Sequence, residues 1–341
     1  MRNSTSDLVK GVAVMLMVQV HLMELFAMES QSGSLVGKLS LFGGGAPAAP
    51  IFMLIMGYFA MQSSKTFVMQ LLRGAKLLLL GFGLNVMLNV HVLLRIAFGT
   101  LDIDPWKFVF GVDILPLAGI SIMLIALFRY AFARNLIPYI IAILLAVLFP
   151  FFDYAFVVPG KAAYLMAFLG GSYAWSYFPL FPWVAYPLTG CVVFVLGERA
   201  TVKLFVEKQG RWLFLLGLAA VGATAFLAAP NIVDLPFYYH HNIFLYVWIV
   251  AFCLVWYWLL HKVNALSQRA WVLVYLRWVG KNVTAFYVFQ WIIIGNLATW
   301  LYLTQRGWQL CCWFVGITFA VSVLVWTWNQ LMRIRNQDIV L

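Results

Sequence analysis

The sequence predicts an all-α polytopic membrane protein: a bundle of about ten transmembrane helices, one domain over residues 1–341, both termini cytoplasmic. Three observations predict it. The chain is 65% hydrophobic and only 10% charged, so its outer surface suits lipid. Its apolar residues gather in runs close to the roughly 20 that a helix needs to cross a bilayer core. The basic residues then fall unevenly on the two sides that those runs define.

In chain order the runs cover 8–28, 46–62, 71–94, 108–128, 136–152, 182–197, 212–229, 243–260, 282–302 and 309–332. With the N-terminus inside, the cytoplasmic segments and flanks hold Arg2, Lys10, Lys65, Arg73, Lys76, Arg129, Arg134, Arg199, Lys203, Lys208, Arg211, Lys262, Arg269, Arg277, Lys281, Arg333 and Arg335. The outer side holds Lys38, Arg95, Lys107, Lys161 and Arg306, so 17 of the 22 basic residues face inward. A missed or extra span would scramble that asymmetry. Residues 1–20 begin like a signal peptide, but the apolar run continues through Phe26 with no small-residue cleavage site, so an uncleaved first span is expected.

The net charge of +11 does not point to nucleic acid, because it is spread over short loops between apolar runs. Cys191, Cys253, Cys311 and Cys312 all lie in apolar stretches with no metal or disulfide spacing, and no metal is expected. The outer segment 153–181, rich in Gly and aromatic residues, reads as interfacial or re-entrant. Gly43–Pro50 and Tyr177–Trp183 carry prolines that break helices, which a membrane tolerates only where the break is buried or lines a cavity.

Ionisable groups at membrane depth are costly and mark candidate sites. The first run carries His21 and Glu24, three apart and on one helix face. A carboxylate beside an imidazole fixes its tautomer and raises its basicity, as a general base needs. Lys10 precedes His21 by eleven residues, roughly 16 Å along the helix axis. A long ligand with an anionic head and a reactive tail, such as an acyl-coenzyme A, fits that spacing. The alternative is a histidine bonded to a neighbouring helix, with Lys10 reaching to the headgroups. Arg73 and Lys76 are orientation charges or phosphate partners. Asn85, Asp113, Gln290, His240 and His241 are candidates for an acceptor site or cavity lining, against interhelical bonding for Asn85 and a helix start for Asp113.

The same residues carry a family resemblance. Ser6 to His21, with ten residues between Lys10 and His21, resembles the first helix of the integral-membrane sugar O-acyltransferases, which carry Arg, ten residues, then His. Ala49–Gly57, Phe178–Trp183 and Val279–Tyr287 resemble three runs of the heparan-alpha-glucosaminide N-acetyltransferase group, in order. The chain departs from both: Lys10 replaces Arg and loses its bidentate geometry. The heparan-type enzymes tend to carry Asn where His21 falls, with their active His further on, and no His lies here between His21 and His91. The resemblance implies a transmembrane acyltransferase in a bacterial inner membrane. It would move an acyl group, acetyl in the first instance, from cytoplasmic acyl-coenzyme A to a hydroxyl or amine of an envelope acceptor such as a sugar. His21 and Glu24 would be catalytic, and Lys10, Arg73 and Lys76 would bind the coenzyme. Direct transfer and an acyl-His intermediate both remain open. The rival reading is a multi-pass transporter or flippase of a small or lipid-linked substrate.

Overall fold

The computed structural model describes residues 3–338, apart from the side chains of 153–156 and 335–338. Arg2 therefore lies outside the described residues, as does the Arg335 side chain. The main helices are α1 (Ser4–Leu25), α2 (Leu35–Gly45), α3 (Ala49–Gln62), α4 (Phe67–Leu88), α5 (Val90–Ala97), α6 (Ile114–Phe132) and α7 (Leu136–Leu148). They continue with α8 (Ala185–Glu198), α9 (Ala200–Val233), α10 (Ile243–Leu266), α11 (Trp271–Lys281), α12 (Val283–Leu301) and α13 (Gly307–Asp338). No β-strand occurs among the described residues beyond two isolated bridges.

Nine described helices are long and apolar enough to cross a membrane, and Leu136–Phe152 is a shorter apolar helix in the place of the expected fifth span. Its regular part ends after Leu148, because Pro150 has no N–H to continue the ladder. Two expected runs are also divided. The run 71–94 breaks at Asn89 into α4 and α5. The run 108–128 begins only at Ile114, where Asp113 caps α6 by accepting a hydrogen bond from the Ile114 N–H at 2.7 Å. Both proline-bearing stretches are broken as expected. The α2–α3 break at Ala46–Ala48 is buried, and Phe181 is extended inside the short helix Leu180–Trp183.

The helices gather into two compact units. The first holds residues 1–44, 87–101 and 260–341. Its centre is α1, almost wholly buried and packed along α11, α12 and α13. The α1–α11 crossing is backbone to backbone: a methyl at Gly11 would collide with the Leu276 carbonyl, and one at Gly280 with the Asp7 carbonyl. Such small-residue crossings let membrane helices gain van der Waals contact, which replaces a hydrophobic drive that lipid does not supply. At one end of α1, Thr5 Oγ1 meets His261 Nδ1 at 3.1 Å and Asn264 Nδ2 donates to Ser4 Oγ at 3.0 Å. At the other, Gln305 N–H donates to the Phe26 carbonyl at 2.7 Å and Met28 N–H to the Gln305 carbonyl at 3.0 Å. Within this unit Asn296 bridges the ends of α4 and α5, donating to the Met87 carbonyl at 2.9 Å and accepting the His91 N–H at 3.2 Å.

The second unit holds residues 45–86 and 102–259. Here α3 crosses α8 through Gly57 and Gly190, where added methyls would strike the Pro187 and Leu54 carbonyls. Arg129, at the end of α6, donates to the Ala60 and Ser63 carbonyls at 2.7 and 2.9 Å and so closes the end of α3. The segment from Ala162 to Phe178 forms a small core of Val112, Ala163, Ala167 and Tyr173.

Candidate functional site

In the first unit, α1 holds His21 in the interior with 8% of its surface exposed. Its imidazole lies against the Trp291 indole of α12, ring centroids 3.9 Å apart and planes inclined by 34°. Nδ1 is enclosed and has no hydrogen-bond partner among the described residues. The ring is therefore positioned by its contact with the Trp291 indole, and Nδ1 makes no hydrogen bond to Glu24. Glu24, one turn further along, is half-buried.

Gln290 precedes Trp291 on α12 and lies on the buried stripe with Phe286 and Ile294. It is fully buried, and neither its Oε1 nor its Nε2 has a hydrogen-bond partner among the described residues. The Trp291 Nε1 is enclosed and unpartnered as well. An apolar interior normally pairs such groups, since leaving one unmade costs about 1–3 kcal/mol. By contrast Gln19, two residues before His21, donates to the Leu16 and Ser40 carbonyls at 2.9 Å. The unit thus satisfies one amide fully and leaves another, beside the ring that covers His21, unused.

Lys10 shares α1 with His21 and pairs with Asp7 at 3.0 Å, in a bridge whose lysine is 18% and whose aspartate is 3% exposed. Phosphate binding at Lys10 therefore competes with a carboxylate on its own helix. Arg73 and Lys76 are exposed on α4, in the second unit.

The remaining sequence candidates serve the chain itself. The Asn85 amide donates to the Val109 and Gly111 carbonyls at 3.1 and 2.7 Å, which commits both of its hydrogens. Asp113 caps α6. His241 is fully buried in the second unit, with Nδ1 2.8 Å from the Tyr238 carbonyl and Nε2 2.8 Å from the Tyr186 hydroxyl. That fixes the tautomer: Nδ1–H donates, and Nε2 accepts from Tyr186. Neither ring nitrogen is left for a metal or an acceptor. Burial lowers the His241 pKa to about 4; the bond to the Tyr238 carbonyl opposes this and the neighbouring His240 adds to it. His240 itself is half-buried. Trp183 donates to the Tyr239 carbonyl at 2.8 Å and packs on Tyr186, Tyr238 and His241. No group of three or more His, Cys, Asp or Glu side chains fit to hold a metal occurs among the described residues.

Sequence reasoning missed Trp291 and Asn296. The available signal for Trp291 was its place beside Gln290, a polar residue in a long apolar run. Asn296 carried no signal beyond being polar in a span.

The described chain is thus a polytopic membrane protein whose first helix buries a histidine against a tryptophan ring. The family model for the heparan-alpha-glucosaminide N-acetyltransferase catalytic domain matches residues 2–228, about two thirds of the 341-residue chain. The chain belongs to that family and is a membrane-embedded acetyltransferase. Neither a curated protein nor a solved structure gives a significant match. The matched residues include α1 with His21, and they end before α11 and α12.

Proposed function

We propose that this acetyltransferase takes its acetyl group from cytoplasmic acetyl-coenzyme A and passes it to a hydroxyl or amine of an envelope sugar, with His21 as general base. The observation that carries the reading is His21 itself: an interior imidazole on the helix that also bears Lys10, stacked on Trp291, with no partner of its own at Nδ1. His241, by contrast, is bonded at both ring nitrogens.

In this scheme Lys10 meets the phosphates of the donor. The thioester reaches His21. Nε2 accepts the proton of the acceptor O–H or N–H as its heteroatom attacks the carbonyl carbon. The tetrahedral intermediate collapses, the C–S bond breaks, and the departing thiolate takes the proton back from Nε2. Glu24 favours the transient imidazolium by its charge. Atoms and charge then balance without a metal, and transfer is direct.

The test is release of free thiol from acetyl-coenzyme A by the purified full chain, with glucosamine as acceptor. His21→Ala should lower kcat by about 1,000-fold or more while acetyl-coenzyme A still binds. An active His21→Ala variant would remove the base. Counterflow of substrate in vesicles without thiol release would favour a transporter.

A further inference from the structure

We infer that the Gln290 carboxamide is the recognition group for the secondary amide nearest the thioester sulfur in the acyl donor's arm. The inference rests on the donor proposed above and adds a residue beyond the 2–228 matched by the family.

Gln290 is fully buried, and its Oε1 and Nε2 are both unpartnered among the described residues. A methionine of similar volume would occupy α12 without that penalty, and would pack more favourably in an apolar interior. A residue that destabilises its own fold in this way is the kind retained for a ligand.

Chemistry then narrows the ligand. A carboxamide offers an N–H donor and a carbonyl acceptor side by side. A thioester carbonyl accepts only, so it would leave Oε1 unmet. A secondary amide presents the complementary pair, a carbonyl for Nε2–H and an N–H for Oε1. The adjacent Trp291 Nε1, also enclosed and unpartnered, supplies one more donor for a carbonyl.

Position narrows the site. Gln290 and Trp291 are consecutive, so their Cα atoms stand about 3.8 Å apart. Trp291 covers His21 at 3.9 Å. In the arm of coenzyme A the first amide nitrogen follows the sulfur by two methylenes. A thioester at His21 would bring that amide within about one helical step of the His21–Trp291 contact, and Gln290 is the residue before Trp291 on the same helix.

The test compares S-acetyl-N-acetylcysteamine, which keeps this amide, with S-butyl thioacetate, which lacks it. Thiol release is followed for the full chain in wild type, Gln290→Met and Gln290→Asn. Wild type should prefer the amide-bearing thioester in kcat/KM, and Gln290→Met should collapse that preference at least ten-fold. Gln290→Asn keeps the carboxamide on a shorter stem and should retain part of it. Gln290→Met should also melt above wild type. An unchanged preference ratio overturns the inference, because a packing role would slow both thioesters alike. So does a lower melting temperature for Gln290→Met, which would mean that the amide has a partner within the folded chain. If wild type releases no thiol from acetyl-coenzyme A, the donor reading fails by itself, and the melting comparison still decides whether Gln290 is held unpaired.

Discussion

The imidazole of His21 and the indole of Trp291 stack with centroids 3.9 Å apart, and this contact holds the ring where a hydrogen bond to Nδ1 is missing. Truncating Trp291 should therefore free the ring to rotate. We expect Trp291→Ala to lower kcat by about 100-fold, the scale of a misplaced catalytic group, with a smaller change in KM. Trp291→Phe keeps an aromatic face and should recover most of the rate. Equal losses for the two variants would show that the indole acts otherwise than by stacking.

The α1–α11 crossing gives a stability prediction. Gly11→Ala and Gly280→Ala each place a methyl against a carbonyl oxygen of the other helix, and the backbones must separate. Each should cost about 1–3 kcal/mol, read as a lower melting temperature in detergent. Gly83 faces open space and is the control. Gly83→Ala should be neutral or stabilising by up to about 1 kcal/mol, from helix propensity alone. A drop at Gly83 comparable with that at Gly11 would mean that close approach is not the cause.

The Asp7–Lys10 bridge makes its own carboxylate a competitor for the lysine. Asp7→Asn should release Lys10 and lower the KM for acetyl-coenzyme A by a few-fold, about 3–10, while lowering stability, because the bridge is largely buried. Lys10→Gln should raise that KM. An Asp7→Asn variant with unchanged KM would take the phosphate role away from Lys10.

His241 predicts a pH dependence. Its folded pKa is near 4, below the ordinary value near 6.5, so the unfolded chain binds the proton first as pH falls. Its contribution to stability is thus complete above about pH 6.5 and is lost progressively down to about pH 4. The total loss is on the order of 3 kcal/mol. Melting temperatures of wild type and His241→Gln, measured from pH 7.5 to 4.5, should converge as the pH falls. Parallel curves would show that the buried ring does not titrate as described.

The membrane fold was legible because spans are written as contiguous apolar runs, a local signal. Nine described helices stand where runs were expected, and the exceptions have causes that periodicity hides. Pro150 stops α7, and the break at Asn89 persists because Asn296, two hundred residues away, satisfies its backbone. The candidate site was legible in part. His21 and Gln290 stood out as polar residues in apolar runs. What they touch was not legible, since stacking on Trp291 is decided by packing between helices distant in sequence. The same limit applies to His241, which the sequence left open as an acceptor site and which is consumed by bonds within the fold; Asn85 makes bonds within the fold, the alternative already weighed for it. Gly280, read as part of a motif, is a point of helix contact.

The packing of α1 along α11, α12 and α13 also sets a timetable for biogenesis. The helix α1 leaves the ribosome well before α11, α12 and α13, against which it settles. At ribosomal rates of about 5–20 residues per second, it waits roughly tens of seconds for them. During that wait Asp7, Lys10 and His21 have none of these later neighbours. A truncation after residue 228 would retain every family-matched position and strand the helix in that waiting state. Such a fragment should be short-lived in cells, cleared by membrane quality control, and co-expression of residues 229–341 should rescue it.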